Sequence, residues 1–256
     1  MAYEHLIVDK EKNICTIKLN HPPVNAWNLA MMEEFQTAVS DAEADKEVRA
    51  VVLTGEGGKC FSAGFDVSDA ANAHKISPIG RTLWTRLDQF PKPVIAAING
   101  AALGGGFELA LSCHFRIMAD KPEATVGLTE LNLGIIPGWG GTQRLTRLVG
   151  RTKALEMILF SKRLGAAEAL SVRLVNSVVP AGRLMAEAMG MGRFLARRPP
   201  LAVKAVLSAI GAFDYQNMEA GLEAEEQGSA VVGRSRDREE GFAAFLEKRE
   251  PVFTGE

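Results

Sequence analysis

Two glutamates and three glycine-rich corners carry the chemistry that this sequence offers. Gly104, Gly105 and Gly106 stand between an apolar strand-like run, Val94 to Ile98, and a short apolar helical segment, Phe107 to Cys113. Glycine at such a corner lets a ligand approach backbone N–H groups, and the first N–H groups of a helix lack internal partners and carry the positive end of its dipole. The corner can therefore hold an oxygen that becomes negative, with the carboxylate of Glu108 beside it. Glycines at corners also serve close packing, and a first-turn glutamate can simply complement the dipole. Two details favour chemistry: the helix is apolar almost all round, so Glu108 enters a buried neighbourhood, and no Ser or Thr lies three residues upstream to form a capping box.

Other chemistries fit less well. Cys60-Phe61-Ser62-Ala63-Gly64 comes within one residue of the G-x-S-x-G nucleophile elbow, with His74 and His114 downstream, so a serine hydrolase using Ser62 is a competing reading. The elbow's first glycine is replaced by Cys60. Gly58-Lys59 is followed by Cys60 rather than Ser or Thr, which excludes a P-loop, and Gly100 to Gly106 does not match G-x-G-x-x-G. The histidines His5, His21, His74 and His114 show no metal-ligand spacing, so no metal is expected.

These groups need a scaffold, and 256 residues with 47% hydrophobic content suffice for a large core. A formal net charge of -2 and the lack of a basic, aromatic-rich run disfavour nucleic acid as a partner. No apolar run approaches a membrane span. Cys15, Cys60 and Cys113 are odd in number, far apart and mostly within apolar runs, which reads as buried, reduced thiols. The opening residues show no signal peptide, so a cytoplasmic location is expected.

Strand-like His5 to Val8 and Ile14 to Leu19 suggest a hairpin, with Cys15, Ile17 and Leu19 alternating with Thr16 and Lys18. Asn28 can cap a helix running to about Asp45. A strand at Ala50 to Thr54 empties into the loop around Gly64, and Ser77-Pro78 opens a helix with Ile79, Leu83, Leu87 and Phe90 on one face. Short strands follow the central corner at Phe115 to Met118 and Thr125 to Val126, and Gly138 leads into a helix from Thr142 to about Leu148. Three times a strand passes through a glycine-rich corner into a helix, around Gly64, Gly105 and Gly138. Stacked in one orientation, these corners line one site. After Arg151 the chain becomes mainly helical, with a strand at Leu174 to Val179 and helices at Leu201 to Phe213 and Met218 to Val232. The expected division is a catalytic domain at 1–198 and a helical region at 199–256.

Three stretches together resemble the crotonase superfamily, the enoyl-CoA hydratase/isomerase family. They are Phe61-Ser62-Ala63-Gly64-Phe65-Asp66-Val67, the run Asn99 to Ala110, and the run Thr129 to Leu145. The resemblance covers essentially the whole chain and implies an α/β superhelix of ββα units with a helical C-terminal region. It implies an oxyanion hole made by the backbone N–H groups of Phe65 and Gly105. CoA would lie along Ala63, Gly64, Asp66 and Val67 with its adenine near Val24, and Lys59 can meet a phosphate. Glu108 and Glu130 match the two catalytic carboxylates of the hydratases, with Glu108 activating water, Glu130 protonating C2, and the Gly138 backbone fixing the water or a carboxylate.

The implied reaction is syn addition of water to a 2-enoyl-CoA, within fatty acid metabolism, by a lyase that needs no cofactor because CoA belongs to the substrate. Double-bond isomerisation and hydration of a cyclic enoyl- or dienoyl-CoA are the near alternatives. A non-catalytic RNA-binding or scaffold role is the distant one. Phe65, Phe107 and Trp139 are bulkier than the small residues common at these places in short-chain hydratases, which bears on the shape of the acyl pocket. The tail's apolar face, including Val203, Val206, Leu207 and Ile210, needs a partner surface, and the resemblance implies that the partner is another subunit, in a homotrimer or a dimer of trimers.

Overall fold

Alternating and continuous apolar runs pair into two sheets in the computed structural model, which describes residues 3–256. In chain order the elements are β1 (Leu6–Glu11), β2 (Ile14–Leu19), α1 (Leu29–Ala44), β3 (Ala50–Gly55), β4 (Cys60–Ser62), α2 (Ala73–Asp88), β5 (Val94–Ile98), β6 (Ala101–Leu103), α3 (Gly105–Ser112), β7 (Phe115–Asp120) and β8 (Thr125–Gly127). There follow α4 (Gly141–Leu159), β9 (Leu164–Gly165), α5 (Ala166–Ser171), β10 (Ser177–Pro180), α6 (Leu184–Ala196), α7 (Pro200–Tyr215), α8 (Met218–Val232) and α9 (Arg236–Glu247). The larger sheet has the order β1-β2-β3-β5-β7-β10 and is parallel except for the β1–β2 hairpin. The smaller has the order β4-β6-β8-β9, with only β8–β9 antiparallel.

Each unit thus lays one strand in the large sheet and the next in the small one: β3 with β4, β5 with β6, β7 with β8. Because β4, β6 and β8 are parallel, their C-terminal ends emerge on the same edge. This is the crotonase-type α/β arrangement, and it brings the three glycine-rich corners together as the sequence pattern requires.

The Asn28 side chain accepts from the Met31 N–H at 2.8 Å, capping α1 as expected. Met32, Phe35 and Val39 on that helix are buried. Elsewhere the sequence misleads. Thr16 is buried rather than outward, because α6 covers the second face of the large sheet and the Thr16 hydroxyl meets Met189 Sδ at 3.7 Å. The helix assigned to Ser77-Pro78 begins four residues earlier, at Ala73, and holds Pro78 inside. Pro78 lies early enough in the helix that only its second turn loses a hydrogen bond. The helix after Gly138 continues past Leu148 to Leu159 through a break at Gly150, whose φ of 76° only glycine adopts without strain. The strand expected at Leu174 starts at Ser177, and α5, α6 and α9 fall, undelimited by the sequence pattern, in the stretch expected to be mainly helical.

The core around the corners is aromatic. Trp84 packs edge-on against Trp27, Phe35 and Trp139 at centroid distances of 5.0, 5.8 and 5.3 Å. Such pairs add about 0.5–1.5 kcal/mol each beyond area burial. In the tail α7 and α8 pack on each other and leave Val206, Ile210, Phe213 and Leu222 exposed. Among the described residues no helix is long and apolar enough to cross a membrane.

Candidate active site

The ends of β4, β6 and β8 open onto a cavity of about 690 Å³ lined by Ala63, Phe65, Gly104, Gly105, Glu108, Thr129, Glu130 and Gly138, among others. One residue pair fixes how the first two corners meet. Gly64, at a φ of 90°, lies so close to the second corner that a Cβ would stand 2.8 Å from the Gly105 nitrogen. The next residue, Phe65, is held by a backbone bridge to Trp27, which donates to Gly64 O at 2.8 Å and accepts from Asp66 N at 3.0 Å. That bridge uses the neighbours of the Phe65 amide and leaves the amide itself free. Among the described residues neither the Phe65 nor the Gly105 N–H has an acceptor. The Gly105 carbonyl is anchored from behind by Trp84 Nε1 at 3.0 Å.

Glu108, in the first turns of α3, is 2% exposed. Its Oε1 accepts from Trp139 N at 2.8 Å and from Gly141 N at 2.7 Å, the latter an orphan donor at the start of α4. The carboxylate is therefore held by the flanks of the corner. Gly138 lines the cavity but is not one of these donors, so of the two partners expected for its backbone, the water or a carboxylate, Glu108 is held by other amides. Burial raises the Glu108 pKa, while the two N–H donors and, more weakly, the Arg144 charge favour the anion.

Glu130 sits on a short 3-10 turn after β8 and is also buried. Among the described residues neither of its carboxylate oxygens has a hydrogen-bond partner. Burial, and then the nearby Glu108 charge, push its pKa up to about 7. Burial thus biases both carboxylates towards the protonated form, Glu108 against two N–H donors that favour its anion and Glu130 with no such donor among the described residues.

Of the remaining candidates, Val24 and Val67 are exposed and do not line the cavity, and Ala63 N donates to Val24 O at 3.0 Å, so the segments around Ala63 and Val24 run side by side. The Asp66 carboxylate caps the turn after it by accepting from Ser68 N at 2.9 Å. Lys59 is exposed on its loop. Ser62 is no nucleophile: it is fully buried, its hydroxyl donates to Asn25 O at 2.8 Å, and it accepts from Gly64 N. His114 spends its Nδ1 accepting from Val94 N, and His74 Nδ1 lies against Ala71 O.

A stack of ββα units with two buried carboxylates at its corners defines the crotonase-fold class. A family model described as enoyl-CoA hydratase/isomerase matches residues 9–256. The chain is 37% identical to a short-chain-enoyl-CoA hydratase of Clostridium acetobutylicum over 97% of both chains. It is also 37% identical to a 2,3-dehydroadipyl-CoA hydratase of Escherichia coli over 98% of both. A crystal structure of an enoyl-CoA hydratase from Bacillus anthracis is similar with a TM-score of 0.94 at 40% identity, covering 99% of this chain and 100% of that one. The chain belongs to the enoyl-CoA hydratase/isomerase family, and it is an enzyme of the hydro-lyase type.

Sequence reasoning missed the donors to Glu108 and the ionic knot behind them. Helix α4 starting at a double glycine was a signal for the Gly141 donor, since first-turn N–H groups attract carboxylates. Nothing in the sequence joins Arg144 to Asp88, 56 residues away, or to Tyr215.

Proposed function

We propose that the protein adds water syn across the C2–C3 double bond of a 2-enoyl-CoA to give the 3-hydroxyacyl-CoA. The observation that carries this reading is the pair of buried glutamates on one cavity, Glu108 held by two N–H donors and Glu130 with no hydrogen-bond partner among the described residues, together with two amides that have no acceptor there. The Phe65 and Gly105 N–H groups hold the thioester oxygen and stabilise the enolate that forms on it, an arrangement in which one donor is worth about 3–4 kcal/mol of barrier. Glu108 takes a proton from water as it attacks C3. Glu130 delivers its proton to C2. CoA runs along Ala63, Gly64, Asp66 and Val67 with its adenine near Val24, and no further cofactor takes part.

The test is incubation with a short-chain 2-enoyl-CoA, following loss of the conjugated thioester absorbance and weighing the product. Gain of one water is expected. Double-bond migration without water uptake overturns hydration in favour of isomerisation.

Because the oxyanion contacts come from backbone, Phe65→Ala is expected to change KM and substrate preference while leaving kcat within about tenfold. Complete loss of turnover in a folded Phe65→Ala protein would assign the ring a chemical role.

The exposed apolar residues of α7 and α8 support a homotrimer or dimer of trimers. Light scattering at micromolar concentration is expected to give one of those masses, and a monomer contradicts it. Three free, buried cysteines, their pKa values raised by burial to about 11, 11 and 12 for Cys15, Cys60 and Cys113, support a reducing, cytoplasmic setting.

A further inference from the structure

The wall that α2 gives to the cavity is made of small residues, Ala73 and Ser77, and the next position on that face is Gly80. Gly80 is buried against the Trp139 indole: a Cβ there would stand 2.7 Å from Cε2 and 2.9 Å from Nε1. The opposite edge of the same ring lies on Gly105, where any Cβ would fall inside Cζ3 and Cε3. The indole therefore fills the slot between α2 and α3 that two glycines leave open. It is 4% exposed and backed by Trp84, so it has no room to swing away.

Gly105 is also the residue whose amide meets the thioester oxygen in the reading given above, on which this inference rests. The ring thus closes the cavity within one residue of the reacting centre. The cavity's charged side chains are Glu108 and Glu130, and its lining contains no lysine, arginine or histidine among the described residues. A carboxylate at the far end of an acyl chain would meet two acids and no cation there.

We infer that Trp139 is the specificity-determining stop of the acyl pocket, and that the enzyme takes short, uncharged 2-enoyl groups. A longer chain must displace the indole or leave along the exposed rim at Leu133, Ile135 and Ile136, where it stays wet. Replacing the ring leaves the backbone N–H of residue 139 on Glu108, so the acid–base pair keeps its support.

The experiment measures kcat/KM for a series of straight-chain 2-enoyl-CoA thioesters from four to ten carbons, plus one bearing a terminal carboxylate. It is run on the unmodified protein, Trp139→Phe and Trp139→Ala, with circular dichroism as the check on folding. The unmodified enzyme is expected to fall by about tenfold or more from the shortest to the longest chain and to reject the carboxylate. Trp139→Ala is expected to reverse the chain-length trend by at least about tenfold, with Trp139→Phe intermediate. Equal use of long and short chains by the unmodified enzyme overturns the inference even when neither variant folds. So does an unchanged profile in a folded variant, or efficient use of the carboxylate substrate. Absence of hydration with every thioester instead sinks the reading of the site itself.

Discussion

Glu108→Gln and Glu130→Gln are each expected to slow hydration by about two to four orders of magnitude while acyl-CoA binding measured by calorimetry persists. Binding survives because the thioester and CoA contacts in this reading come from backbone. The two substitutions fail for different reasons. Glu108 loses its anion, the form that the Trp139 and Gly141 amides hold in place, whereas Glu130 loses the proton it must give. Because both act in one transition state, the double variant is expected to lose less than the product of the single losses. Should only one substitution slow turnover, a single-carboxylate isomerisation is the better account.

The same pair sets the pH response. Glu130 must be protonated to act, and its pKa of about 7 in the free enzyme means that kcat/KM falls as pH rises through that value. Stability moves in the same direction. The folded protein holds the Glu130 proton more tightly than the unfolded chain, so folding stability is lost as pH rises from the ordinary carboxylate range through about 7. Glu130→Gln removes this loss. Its melting temperature is therefore expected to exceed that of the unmodified protein above pH 7, with the advantage shrinking under acid conditions. An unchanged difference across that range would mean that Glu130 is already ionised without cost.

Much of this site was legible because its signals are local. Gly104 to Gly106 between an apolar strand and an apolar helix marks a corner whatever the tertiary context, and a glutamate inside an apolar helix signals a buried charge. The parallel order of β4, β6 and β8 converts three such corners into one cavity, whereas Glu130 and the Phe65 amide are reached only through the family resemblance. What stayed hidden depends on contacts distant in sequence. Thr16 looks outward until α6 covers it. Gly80 looks like an ordinary weak spot in a helix until the Trp139 ring is found in its place. The donors to Glu108, Trp139 and Gly141, stayed hidden because only the path of the turn decides which amides face inward.

A further hidden link is ionic. Arg144 is 4% exposed, donates to Trp139 O at 2.8 Å, and pairs with Asp88 at 2.9 Å. Asp88 ends α2, and it also receives Tyr215 Oη at 2.6 Å and Arg147 at 3.0 Å, so the last residue of α7 reaches the turn that holds Glu108. Arg144→Met is expected to cost roughly 3 kcal/mol, the low end for breaking a buried pair, because Asp88 keeps its other two partners. Urea denaturation measures that loss. Activity should fall too, by on the order of tenfold to a hundredfold in kcat with KM little changed, as the turn no longer fixes the base. The acid limb of the pH profile adds a readout that simple instability does not move. Arg144 favours the Glu108 anion, so without it the Glu108 pKa rises further and activity is lost at higher pH as the medium is acidified. Tyr215→Phe keeps the ring against Arg147 and deletes two hydrogen bonds, to Asp88 and from Arg144, so a milder loss of about 1–2 kcal/mol is expected, with the same direction in kcat. If Arg144→Met loses stability yet keeps both kcat and the acid limb, the knot braces the fold without positioning the catalytic carboxylate.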